Sequence, residues 1–210
     1  MPRCRTTAIA ALAVSALLAT SGAAYAHDFG LRKTAGEARE APSMSWGYFH
    51  GDLTDIWADD DVFDGARATA VMVGINNEAT FRVTIKGLEN KAIDHDYGAH
   101  LHMGKCGTDP VTRQSTVGVH YNISEPDPVT KLPTVVSDKT EVWLNFHVNS
   151  DGDARATATV PFVPEGTRSI TFHALPTVKK QTESSGPKVG FAGDKLACLP
   201  LDIKKLSSTG

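Results

Sequence analysis

The chain has 210 residues, 41% of them hydrophobic and 21% charged, with a formal net charge of −3 at pH 7. An acidic balance argues against a nucleic-acid partner, and the length is sufficient for a domain with its own core. Eight histidines and three cysteines are the residues with most chemistry to offer, and where they fall matters more than how many there are.

In chain order, Arg3 and Arg5, the run AIAALAVSALLA and the small residues of AYA (Ala24–Ala26) read as a signal peptide over 1–26. The apolar run is too short and Ala-rich to be a good membrane span, and no transmembrane segment is expected in the mature chain. Cleavage there leaves His27 at the new N-terminus and implies a secreted or otherwise extracytoplasmic protein. Losing Arg3 and Arg5 takes the net charge from −3 to −5. Cys4 leaves with the signal, so Cys106 and Cys198 remain, an even pair in an oxidising compartment. Either they join, which the chain-entropy model values at roughly 4–5 kcal/mol as an upper estimate, or they stay free thiols.

Residues 27–65 are mixed and polar, with GEAREAPS as a linker and DDDVFDG as a solvated acidic loop, and read as an N-terminal extension of unknown role. From Ala68 the pattern changes. ATAVMVGI and TFRVTIKGL are β-rich runs joined by NNEA, a hairpin signal. AHLHM reads as a strand, TEVWLNFHV and ARATATVPF flank the turn NSDGD, and RSITFHAL and KLACLPLDI complete the set. No stretch after the signal carries a 3.6-residue apolar period. The expectation is an all-β domain over 66–205, an antiparallel sandwich or Greek-key barrel, followed by a tail over 206–210. Two long connections, 121–139 and 176–194, are rich in Pro, Gly, Ser and charge, and loops of that length in a compact domain are usually functional.

YGAHLHMGKCG sets His100 and His102 two positions apart in the predicted strand, where both point to one face with Cα atoms roughly 6.5–7 Å apart. Read alone, the pair is as readily a wet strand face as a metal site. His120 in VGVHYN leads into the first long loop, and His173 in ITFHAL immediately precedes the second. Four imidazoles suit copper, whose Cu(II) state favours nitrogen ligands in tetragonal geometry. His147 alternates with Trp143 and Asn145, opposite Leu144 and Phe146, and reads as a surface strand residue.

IKGLENKAIDHDYGAHLHMGKCG, VGVHYN, NSDGDARATATV, ITFHAL and GFAGDKLACLPLD come in the order found in copper/zinc superoxide dismutases. Over roughly Ala68 to Ile203 the chain resembles a secreted bacterial member of that family. The resemblance implies an eight-stranded antiparallel Greek-key barrel whose long loops form the active-site channel. It implies His100, His102, His120 and His173 as copper ligands, His120 being the family's bridging histidine, and a Cys106–Cys198 disulfide. Lys195 falls where the family has its active-site arginine, and lysine lacks that residue's planar fork.

The zinc half of the pattern is missing. The family places two more histidines and an aspartate after the bridging histidine, whereas 121–146 holds no histidine. Glu125, Asp127, Asp138 and Glu141 are the available carboxylates, a poor match to zinc's preference for nitrogen and sulfur. The expectation is therefore copper without zinc, as in copper-only members of the family, with superoxide as substrate and His120 and Lys195 as the catalytic residues. A carboxylate from the first loop would orient the second nitrogen of His120. Lys179, Lys180 and Lys188 are ordinary solvated charges or, near the channel mouth, steer an anion inward. Two rival readings are a catalytically weak or inactive copper-binding or structural protein on the same fold, and copper chelation by an N-terminal His27.

Overall fold

The structure is a computed structural model that describes residues 43–57, 61–186 and 188–204. The expected signal peptide, His27, most of GEAREAPS and the tail lie outside these residues. Strands β1 (Met44–Asp52), β3 (Arg67–Ile75), β4 (Glu78–Lys86) and β8 (Ala154–Val160) form one antiparallel sheet in the order β1-β3-β4-β8. A second antiparallel sheet has the order β2 (Thr54–Asp55), β10 (Lys195–Ile203), β9 (Gly166–His173), β6 (Ala99–His102). A short ribbon pairs β5 (Asp96–Tyr97) with β7 (Phe146–His147). The expected all-β, antiparallel fold is met as a sandwich of two sheets. Its chain crosses between layers, so that β8 returns beside β4 and β9 beside β6, the long-range pairing of Greek-key topologies.

The core follows from period-two alternation. Ala68, Ala70 and Met72 of β3, Phe81, Val83 and Ile85 of β4, and Ala154 and Ala156 of β8 are buried from one sheet. Leu101, Ile170, Phe172, Leu199 and Leu201 answer from the other. Alanine faces on β3 and β8 leave room for the bulky rings, an interdigitation that close packing requires.

Two expectations for 27–65 are corrected. The fold begins before residue 66, because β1 pairs with β3 along its whole length, from Met44 opposite Ile75 to Asp52 opposite Arg67. Of its inward residues Ser45 and Gly47 are small and only Phe49 packs against the core, while Met44, Trp46 and Tyr48 face outward, so the alternation does not read as a core-facing strand. Gly47 leaves room for the Phe49 ring, since a Cβ there would lie 2.5 Å from it and the ring would have to shift. From Asp61 on, the acidic loop is likewise not simply solvated. Phe63 is fully buried and meets the rings of Tyr97, Phe146 and Phe172, while Asp61 Oδ1 accepts the Phe63 N–H at 2.7 Å.

The expected strand TEVWLNFHV forms regular pairing only at Phe146–His147, while the residues before it run extended along the edge of β6. Cys106 and Cys198 are joined across 92 residues, tying the loop after β6 to β10 against Ile56 and Val117. Among the described residues no helix is long and apolar enough to cross a membrane.

Candidate metal centre

β6 and β9 are buried on both faces. Ala99 and Leu101 of β6 and Ile170 and Phe172 of β9 enter the core, so His100, His102, Ser169, Thr171 and His173 share the opposite face. That face is dry as well, with His100 and His102 fully buried and His173 nearly so. The outer edge of β6 is occupied in succession by the two stretches that flank the first long connection. His120 lies opposite His102, Trp143 lies opposite His100, and hydrogen bonds from Tyr121 to Leu101 and from Leu144 to Ala99 fix the register. Directly opposed residues of an antiparallel pair point the same way, so His120 and Trp143 join the histidine face.

Each ring then has an inner and an outer nitrogen. His102 Nδ1 donates to the Gly118 carbonyl at 3.1 Å, and His173 Nδ1 to the Gly193 carbonyl at 3.2 Å. His120 Nδ1 donates to Glu141 Oε2 at 3.0 Å. His100 Nε2 meets Thr177 Oγ1 at 2.8 Å. The nitrogens left over converge: His100 Nδ1 is 2.9 Å from His120 Nε2, and His102 Nε2 is 3.2 Å from His173 Nε2. One ligand atom from each of the four rings lies within 4.8 Å of the others, and among the described residues no other group of His, Cys, Asp or Glu gathers this closely.

For His102, His120 and His173 the inner nitrogen carries a lone pair. A neutral ring whose outer nitrogen donates to a carbonyl or carboxylate has a bare inner nitrogen. Burial, reinforced by the neighbouring rings, holds His102 down at about 2 and His173 at about 4, and keeps His100 well below the ordinary imidazole value. Bare nitrogens facing one another at such distances repel unless a cation stands between them, so the donor set fits a nitrogen-ligated metal ion.

Glu141 is almost fully buried. Its Oε2 accepts from His120 and, at 2.8 Å, from Trp143 Nε1, and its Oε1 accepts from Asn122 Nδ2 at 3.0 Å. Burial would raise the carboxyl, but these hydrogen bonds outweigh it and hold it below the ordinary value. Gly190 (φ 85°) lets the second long loop lie on this group, for a Cβ there would reach Val136, Glu141 and Trp143. Of the other carboxylates, Asp127 caps its own turn through Val129 and Thr130, Asp138 is exposed beside Lys139, and Glu125 is exposed. His147 is exposed and bonded to Asp96, as expected of a surface strand residue.

Lys195 reaches the site through a β-bulge. Phe172 pairs with Ala197, but His173 pairs with Lys195, so Leu196 is the extra residue and Lys195 is re-aimed onto the histidine face. Its Nζ donates to the Gly118 carbonyl at 2.7 Å, and burial lowers its pKa. With His120, His173, Glu141 and Phe191 it lines a cleft of about 380 Å³ over the cluster. Lys179 lines a different cleft, of about 450 Å³, with Trp143 and Asn145, and Lys180 and Lys188 are exposed.

Sequence reasoning thus names all four converging histidines and offers Glu141 only as one of four carboxylates, without its partnership with His120. Its signal is the period-two series Glu141, Trp143, Asn145, set against buried Val142, Leu144 and Phe146. Compared with known proteins, the chain matches no family model and no curated sequence.

Proposed function

We propose that the protein is a secreted, copper-dependent superoxide dismutase that works without zinc. The observation that carries this reading is the set of four imidazoles, three of them buried, whose inner nitrogens converge on one point beneath an open cleft. The motif order that resembles copper/zinc superoxide dismutases supports it, as does the disulfide, which suits an oxidising compartment. A copper ion held by His100, His102, His120 and His173 would supply one-electron chemistry, so that two superoxide ions and two protons give dioxygen and hydrogen peroxide.

The remaining tasks fall to the chain. Lys195 offers the approaching anion a positive charge at the cleft wall. His120 Nε2 is the atom suited to hold a proton, because Glu141 on the other nitrogen stabilises the ring when it is charged. Glu141 thereby takes the orienting role that zinc has in the two-metal enzymes. The rival, a copper-binding protein without useful turnover, is favoured by one observation: the Lys195 ammonium is already engaged by the Gly118 carbonyl.

Metal analysis of the purified protein beside a superoxide-consumption assay decides between them. Expected are one copper per chain, little zinc, and a rate well above that of free copper. Stoichiometric zinc would refute the copper-only reading, and a copper-loaded but inert protein would leave the binding module.

A further inference from the structure

Three of the four rings lean on groups that can only accept: two carbonyls and a carboxylate. His100 does not. Its outer nitrogen meets the Thr177 hydroxyl, which can donate or accept and so could support either ring tautomer. The choice is made one step further out. Thr177 Oγ1 also hydrogen-bonds Asn145 Oδ1, a carbonyl oxygen with no proton to give. The hydroxyl has a single proton, and Asn145 takes it. Toward His100 the threonine oxygen is then left only as an acceptor, so Nε2 must carry the hydrogen and Nδ1 the lone pair. Nδ1 is the atom that faces His120 Nε2.

We infer that Thr177, set in direction by Asn145, is a positioning residue that fixes His100 as the Nε2–H tautomer and presents Nδ1 to the metal. The inference rests on reading the histidine cluster as a metal site. The relay is built into the fold. Thr177 and His100 are both buried, and Asn145 follows Glu141 and Trp143 on the site-facing side of the stretch that runs along β6. Gly98 keeps the space clear, since a Cβ there would lie 2.7 Å from Thr177 Oγ1. Because Thr177 belongs to the second long connection and Asn145 to the stretch that follows the first along β6, the relay also joins two segments that enclose the cluster.

Two measurements test this on the full-length secreted protein. In the metal-free protein near neutral pH, long-range proton–nitrogen NMR should show His100 protonated on Nε2, with Nδ1 bare. Thr177→Ser and Asn145→Asp, which keep the hydroxyl and the acceptor, should preserve that tautomer. Thr177→Val and Asn145→Leu should mix the tautomers, weaken copper(II) binding by about 10–100-fold and change the copper electron-paramagnetic-resonance spectrum. A wild-type His100 protonated on Nδ1 would overturn the inference. So would a folded Thr177→Val protein with wild-type tautomer, copper affinity and spectrum. A protein that gives the expected tautomer and copper response but does not consume superoxide supports the positioning role while removing the dismutase reading.

Discussion

Glu141 accepts from His120, Trp143 and Asn122 at once, so its charge is held in place by three donors and its geometry toward His120 is fixed. Replacing it by glutamine keeps the size and removes the charge. Glu141→Gln should retain copper yet lower the superoxide rate by about 10–100-fold, since an oriented ring with no anion behind it is a poorer proton carrier. Stopped-flow decay of superoxide checks this, and an unchanged rate would show that Glu141 serves packing alone. Lys195 makes the complementary case. Lys195→Ala should slow the reaction without loss of copper, and Lys195→Arg should match or exceed the wild type because a guanidinium fork orients an anion as well as attracting it. Added salt should slow the wild type more than Lys195→Ala, as screening acts on an attraction the variant has already lost. The histidines and cysteines were legible in the sequence because each lies in a short local motif. Which carboxylate would meet His120 was not, because Glu141 arrives through a register set by pairing with β6, far earlier in the chain.

At the scale of elements, the strands from Ala68 onward announce themselves by apolar alternation, whereas β1 hides because its core side offers Ser45 and Gly47 before its single ring, Phe49, and larger apolar residues face out. The segment between β2 and β3 hides for a related reason: acidic neighbours mask Phe63, a single ring that fills the space among Tyr97, Phe146 and Phe172. Periodicity cannot find one isolated core residue in a loop. Nor can it find the bulge that re-aims Lys195, since an extra residue is visible only against the partner strand. If the Phe63 segment is part of the core, Phe63→Ala should cost about 3–5 kcal/mol, the range for emptying a buried aromatic site. Urea denaturation measures this, and a loss below about 1 kcal/mol, the scale of an ordinary surface change, would mean that the ring is dispensable.

For the molecule as a whole, three buried rings couple stability to pH and metal. In the metal-free protein His102 titrates at about 2 and His173 at about 4, with His100 also well below normal, all through burial first and neighbouring rings second or lower in weight. In the unfolded chain each returns to about 6.5. Between those values the unfolded state binds protons that the folded state refuses, so stability falls as pH drops below about 6.5 and is unaffected by these groups above it. Each ring contributes on the order of 1.4 kcal/mol per pH unit within its window. Against a total stability of about 5–15 kcal/mol, three such rings can unfold the metal-free domain in mild acid. The disulfide does not remove this slope, because it acts on the unfolded chain at every pH. Copper bound to the bare nitrogens should add stability by mass action and carry the acid transition to lower pH, since protons must then displace the metal. Thermal midpoints of the metal-free and copper-loaded proteins measured from pH 7 to pH 4 give the test. The metal-free midpoint should fall steeply below about pH 6.5, with the copper-loaded curve displaced toward acid. A metal-free midpoint that stays level down to pH 4.5 would show that the rings take up protons freely in the folded state and are not the dry cluster described above.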